Sequence, residues 1–215
     1  KMVRKSRKRS CSLVKLRKFV YLISPKKISS NFYNDLRKVL AAKNVKFFQL
    51  RLKNTKVKSI LQTALKIKRI TKKHKVKFII NDNYLFALKI NADGCHLGQL
   101  DGSFTNARKK LRNKIMGITC HGSRNLAKYA INNKADYVAF GSFFKSKLKP
   151  NAKKASLKVL LWAKKEIKTP IVVIGGINNL NYKKLLKAGA KYIALSSFIW
   201  DNPKLKPEFA IRKFK

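Results

Sequence analysis

Eight short apolar segments, at positions 19–23, 45–50, 78–80, 94–97, 115–118, 137–140, 171–174 and 192–195, recur along the chain with amphipathic segments between them. Each has the length of a strand and is too short for a buried helix. The stretches 32–42, 60–70, 126–131, 157–167 and 180–186 carry apolar residues at helical spacing. Strand alternating with helix requires parallel pairing through crossover connections. Eight such units in 215 residues therefore predict a single-domain (β/α)8 barrel, the TIM-barrel architecture. A chain that is 45% hydrophobic can bury one substantial core. Residues 18–215 are assigned to the barrel, with a final helix after Pro203, and residues 1–17 to a basic amino-terminal arm.

No apolar run approaches the roughly 18 to 20 residues that a membrane-spanning helix needs. The basic start is followed by a short apolar stretch broken at Lys15, without a small-residue cleavage site, so export is not expected. Cys11, Cys95 and Cys120 are odd in number and widely spaced. That does not describe a disulfide framework and is the usage expected of a reducing cytoplasm.

Lys and Arg number 53 against 8 Asp and Glu, a net charge of +45. Such an excess permits nonspecific binding to nucleic acid by counterion release. The lysines are nevertheless spread along nearly every amphipathic segment, with no single stripe and no aromatic-interleaved or helix-turn-helix pattern. An AT-rich coding bias combined with an anionic small-molecule substrate is the preferred reading, and nucleic acid is not expected as a physiological partner. Neither is a membrane. The sequence leaves the oligomeric state open, a homo-oligomer included.

Enzymes built on this barrel carry their chemistry on the loops after the carboxyl ends of the strands, and the unusual polar residues cluster there. Gln49, Arg51 and Lys53 come with the second strand, Asn81 and Asp82 with the third, Asp101 with the fourth, and Thr119 and His121 with the fifth. Residues 141–149 follow the sixth, Gly175 and Gly176 the seventh, and Ser196 and Ser197 the eighth. Acid is scarce, so two carboxylates at strand ends, Asp82 and Asp101, point to a divalent-metal site of the oxygen-ligated Mg2+ kind. An Asp at position 82 is also placed to cap the following helix. The Gly pair lets backbone N–H groups approach a phosphate, although a tight strand-to-helix turn explains it equally well. Adjacent residues on a strand face opposite ways, so Cys95-His96 and Cys120-His121 each offer one ligand at most to a common site. Buried or substrate-contacting roles are expected for them in place of zinc. No nucleophilic triad stands out.

Taken in order, 49–53, Asn81-Asp82, 94–101, 117–121, 135–149 and 174–177 resemble thiamine-phosphate synthase, and the resemblance runs from the first strand to the eighth. It implies a transferase that forms a C–N bond. The family joins 4-amino-5-hydroxymethyl-2-methylpyrimidine pyrophosphate to 4-methyl-5-(2-hydroxyethyl)thiazole phosphate, with Mg2+, and releases pyrophosphate. By position the resemblance implies that Gln49, Arg51, Lys53 and Asn81 meet the pyrimidine pyrophosphate, with Thr119, Ser146 and Lys149 also in the substrate site. Arg51, Lys53, Thr119 and Lys149 would take the catalytic roles. Asp82 and Asp101 would bind Mg2+, and Gly176, Ser196 and Ser197 the thiazole phosphate. Leu52 and Leu100 stand where the family usually has acids, Lys145 where it has proline and Leu148 where it has threonine. The same-fold alternative is a thiazole tautomerase, which depends on a histidine where this chain has Ser142. The alternative from another class is an inactive barrel that binds nucleic acid or acidic partners.

Overall fold

The computed structural model describes residues 18–53, 55–144 and 154–215. The arm at 1–17 and the residues Lys145, Ser146, Leu148 and Lys149 lie outside them. Eight parallel strands, β1 (Val20–Ile23), β2 (Val45–Leu50), β3 (Lys77–Asn81), β4 (Gly94–Leu97), β5 (Ile115–His121), β6 (Tyr137–Gly141), β7 (Ile171–Ile174) and β8 (Tyr192–Leu195), pair in sequence order and close into a barrel. Around it run α1 (Phe32–Leu40), α2 (Val57–Lys73), α3 (Tyr84–Lys89), α4 (Phe104–Leu111), α5 (Arg124–Asn132), α6 (Leu157–Glu166), α7 (Tyr182–Lys187), α8 (Ser197–Trp200) and α9 (Pro207–Ile211).

The expected strands are all present, and the differences lie at element ends. The fifth strand runs on through Thr119 to His121. Its apolar run ends at Ile118, but the backbone ladder continues by pairing Thr119 with Ala139 and His121 with Phe140. Helix α2 begins before and ends after its apolar stripe, because its ends are polar turns. Helix α4, absent from the expected set, is basic but buries Phe104, Ala107 and Leu111 at helical spacing. Among the described residues four helices start on a side chain that accepts a backbone N–H: Asn83, Ser103, Ser123 and Ser156. Each such cap stabilises by about 1 kcal/mol.

Alternation along the strands divides the apolar residues into two cores. The larger lies between barrel and helices, with Leu22, Phe48, Phe78, Val138 and Ile193 facing Leu36, Ile67, Leu160 and Leu185. The smaller fills the barrel itself with Tyr21, Phe47, Ile79, Tyr137, Val172 and Tyr192 among others. In the register of the sheet Asn81 pairs with His96, His96 with Gly117, and Gly117 with Tyr137. Gly117 has no side chain, and the Tyr137 ring occupies the space a Cβ would take. The ring thereby reaches His96, on which it stacks with centroids 5.6 Å apart and planes 11° off parallel.

Gly117→Ala should therefore overpack the barrel interior and destabilise the chain by about 1–3 kcal/mol. A urea unfolding midpoint unchanged from wild type would show that the ring has room to move.

Candidate functional site

The strand ends that carry the expected site residues converge on one mouth. Asn81 ends β3, and the chain then turns through Asp82 in the left-handed region, φ 65°, with its N–H donating to the His96 carbonyl at 2.8 Å. That turn aims the Asp82 side chain across the β3–β4 boundary. Asp101 lies in the loop after β4 and accepts the Gly98 N–H at 2.8 Å. The Asp82 and Asp101 carboxyl groups lie close enough to act on each other's proton. Desolvation, followed by the hydrogen bond and charge of Asp101, raises the Asp82 pKa to about 6, against the lowering pull of Lys53 and Arg51. The cap of α3 belongs to Asn83, whose Oδ1 accepts the Phe86 N–H at 2.8 Å, so Asp82 is free of the helix.

A cavity of about 310 Å3 opens beside this pair, lined by Leu52, Lys53, Asn81, Asp82 and Asp101 with apolar residues behind them. A larger hollow of about 1000 Å3 lies between Phe19, Asn44 and Phe214 and, among the described residues, brings no carboxylate or histidine side chain to its wall. Chemistry belongs to the smaller space. Leu52 is half-buried in its wall, whereas Leu100 stands 98% exposed and outside it.

Opposite the carboxylates, Ser24 ties three strands together. Its Oγ accepts the Arg51 N–H at 3.0 Å and lies 3.3 Å from the Arg51 carbonyl, while its own carbonyl accepts the Ser196 hydroxyl at 3.1 Å. Trp200 Nε1 donates to the Ile23 carbonyl at 2.7 Å. The Ser196 hydroxyl proton is thus engaged by backbone. Gly175 has φ 104°, and a Cβ there would run into Ser142, so the loops after β6 and β7 touch through bare backbone. Gly176 follows at φ 59°.

Gln49 is only 2% exposed and stands next to last on β2, which places it under the mouth inside the barrel, near enough to Tyr21 to act on its hydroxyl. His96 Nε2 lies 2.9 Å from Thr119 Oγ1 and Nδ1 lies 3.0 Å from the Tyr137 hydroxyl, which in turn lies 2.8 Å from the Tyr21 hydroxyl. Desolvation lowers the His96 pKa to about 4, against the raising pull of Asp101, so the ring is neutral near pH 7. Cys95, its neighbour, is buried on the outer face, and His121 is exposed with φ 50°. The expected site residues Gln49, Arg51, Lys53, Asn81, Asp82, Asp101, Thr119, Gly176, Ser196 and Ser197 all lie at or just below this mouth; Ser146 and Lys149 lie outside the described residues. Sequence reasoning missed Ser24, Tyr21 and Tyr137. The tyrosines read as ordinary strand residues, and only barrel closure brings their hydroxyls together.

Two neighbouring carboxylates, one with its pKa raised by desolvation and by the other, fit a hard divalent cation whose remaining ligands are substrate oxygens and water. Among the described residues no third Asp, Glu, His or Cys joins them. Between the ordinary aspartate value of 3.8 and about 6 the folded chain holds a proton that the unfolded chain has released. Asp82 therefore favours folding at low pH, and that contribution is lost as pH rises through 6. Asp82→Asn should melt higher than wild type at pH 7 in the absence of divalent ions, with the gap closing towards pH 5; a melting difference independent of pH would contradict the raised Asp82 pKa.

Residues 20–199 match the family described as Thiamine monophosphate synthase. The thiamine-phosphate synthase of Pelagibacter ubique is 57% identical over 200 residues, covering 93% of this chain and 97% of that one. That of Erythrobacter litoralis is 40% identical over 188 residues, 85% of this chain and 88% of its own. Among solved structures, the thiamine phosphate pyrophosphorylase from Pyrococcus furiosus superposes with a TM-score of 0.81 at 27% identity, covering 93% of both chains.

Proposed function

The chain belongs to the thiamine monophosphate synthase family, and from that membership we propose how its barrel mouth carries out the reaction. The enzyme is a transferase of thiamine biosynthesis. It couples 4-amino-5-hydroxymethyl-2-methylpyrimidine pyrophosphate to 4-methyl-5-(2-hydroxyethyl)thiazole phosphate, so its substrates are phosphorylated small molecules. In the coupling, the bond from the pyrimidine methylene carbon to pyrophosphate oxygen breaks and a bond from that carbon to the thiazole nitrogen forms.

The observation that carries the site assignment is the Asp82–Asp101 pair, set beside Lys53 and Arg51 at the edge of the cavity. Asp82 and Asp101 would hold Mg2+, which when bound neutralises charge on the departing pyrophosphate. Arg51 and Lys53 supply further positive charge to the same leaving group, the guanidinium as paired donors and the ammonium as a mobile point charge. The Ser24 clamp on the Arg51 backbone fixes where that guanidinium starts. Asn81 and the Thr119 hydroxyl add neutral contacts to the pyrimidine pyrophosphate. Ser146 and Lys149, in the segment after β6, complete the anion site in this reading. Gly176, Ser196 and Ser197 receive the thiazole phosphate, with Ser197 and backbone N–H groups the better donors because the Ser196 proton is already engaged by Ser24. Gln49 acts from beneath the pyrimidine. No protein nucleophile is needed, since the electron-rich aminopyrimidine tolerates a cation-like methylene and positioning with electrostatics supplies the acceleration. Cys95 and Cys120 are free and buried, which supports a reducing cytoplasmic setting, and among the described residues no helix is long and apolar enough to cross a membrane.

Purified protein should form thiamine phosphate from the two substrates only with Mg2+ present, and product formed equally well in excess chelator would refute the metal assignment. Asp101→Ala should lower turnover by at least about a hundredfold while leaving the unfolding midpoint close to wild type, because a loop carboxylate contributes little packing. Apparent Mg2+ affinity should weaken as pH falls through about 6, since a proton on Asp82 competes with the ion.

A further inference from the structure

A line of side-chain hydrogen bonds runs from the mouth into the barrel interior: Thr119, His96, Tyr137 and Tyr21. Each member sits on a different strand, and the line exists because Gly117 leaves the space through which Tyr137 reaches His96. Proton counting makes such a line directional. A neutral imidazole donates from one nitrogen and accepts at the other, and each hydroxyl has a single proton to donate. Only two arrangements satisfy all members.

In one, the Thr119 hydroxyl donates to His96 Nε2, Nδ1–H donates to Tyr137, and Tyr137 to Tyr21. The Thr119 proton is then spent, and its lone pairs face the mouth. In the other, Tyr21 donates to Tyr137, Tyr137 to His96 Nδ1, and Nε2–H to Thr119 Oγ1. Here the Thr119 proton is free to point outward. A pyrophosphate group offers only acceptors, so it is compatible with the second arrangement alone.

We propose that His96, Tyr137 and Tyr21 are positioning residues that fix the Thr119 hydroxyl as a hydrogen-bond donor to the departing pyrophosphate, through a line of donors that starts at Tyr21. This rests on the assignment of Thr119 to the pyrophosphate site given above. None of the three needs to touch the anion. Their effect is to present one oriented O–H to it without the cost of reorganising that group as charge develops.

Two measurements test this. In the full chain with 15N-labelled histidine and saturating Mg2+ and pyrophosphate, the His96 ring should carry its proton on Nε2; the chain has three histidines, so His74→Gln and His121→Gln assign the signals by subtraction. A proton on Nδ1 would overturn the proposal whatever the activity data show. In turnover, Tyr137→Phe should lower kcat/KM for the pyrimidine pyrophosphate roughly tenfold, the size of one hydrogen bond to a charged group, with the KM for the thiazole phosphate unchanged. In a Thr119→Val background Tyr137→Phe should cost nothing more, and Thr119→Ser should restore the sensitivity. Equal losses in both backgrounds would mean that the tyrosine merely packs the barrel, and would also overturn the proposal. Should Tyr137→Phe fail to fold, Tyr21→Phe runs the same cycle one step further along the line. A wild-type protein without synthase turnover would defeat the functional reading alone, because the ring-nitrogen measurement needs only pyrophosphate.

Discussion

The Tyr137 ring lying across the bare backbone of Gly117 joins fold and site in a single contact. Parallel register sets His96, Gly117 and Tyr137 side by side on successive strands, so any side chain at the middle position would separate the outer two. Its absence lets an aromatic ring fill the barrel interior and also bring a phenol to a histidine nitrogen. The same packing that removes apolar surface from water therefore installs a polar line in the core. That line is tolerable because every hydroxyl and ring nitrogen in it has a partner.

Acid is used sparingly, and its placement separates stability from chemistry. At the amino ends of the strands Asp93 accepts the Phe78 N–H and pairs with Lys77, and Asp136 accepts the Met116 N–H and pairs with Arg108. Each satisfies a backbone donor and a cation together. At the opposite end Asp101 accepts the Gly98 N–H, and Asp82 and Asp101 stand close together with no ion pair to either among the described residues, an arrangement that raises the Asp82 pKa. Two carboxylate pins hold the floor, and two neighbouring carboxylates stand at the mouth.

Most of the fold is legible along the chain because each strand is a short apolar run bounded by polar turns, and burial on both faces keeps those runs continuous. Boundaries are less legible where the backbone ladder outlasts the apolar pattern, as at Thr119 to His121, or where a helix begins in a polar turn, as in α2. The convergence of Arg51, Asp82, Asp101 and Thr119 follows from barrel geometry alone. What a linear reading leaves out is set by register and by backbone angle. Gln49 lies buried because its position on β2 faces inward. Asn83, one residue beyond the left-handed turn at Asp82, takes the cap that an aspartate was expected to supply. Ser196 points its hydroxyl at Ser24, some 170 residues away along the chain, a pairing that no local pattern encodes.

The seam that closes the ring joins β1 to β8 through Val20 with Ile193, Tyr21 with Ala194 and Leu22 with Leu195. Nearby, Asn44 Nδ2 donates to the Phe214 carbonyl at 2.9 Å, and α9 packs on α1. Both closures join the first and last parts of the barrel. During synthesis from the amino end, β1 is made early and its outer edge stays unpaired until β8 has left the ribosome. Without β8 the sheet would have two open edges, at β1 and β7, and pairing with both is what leaves the ring without an edge.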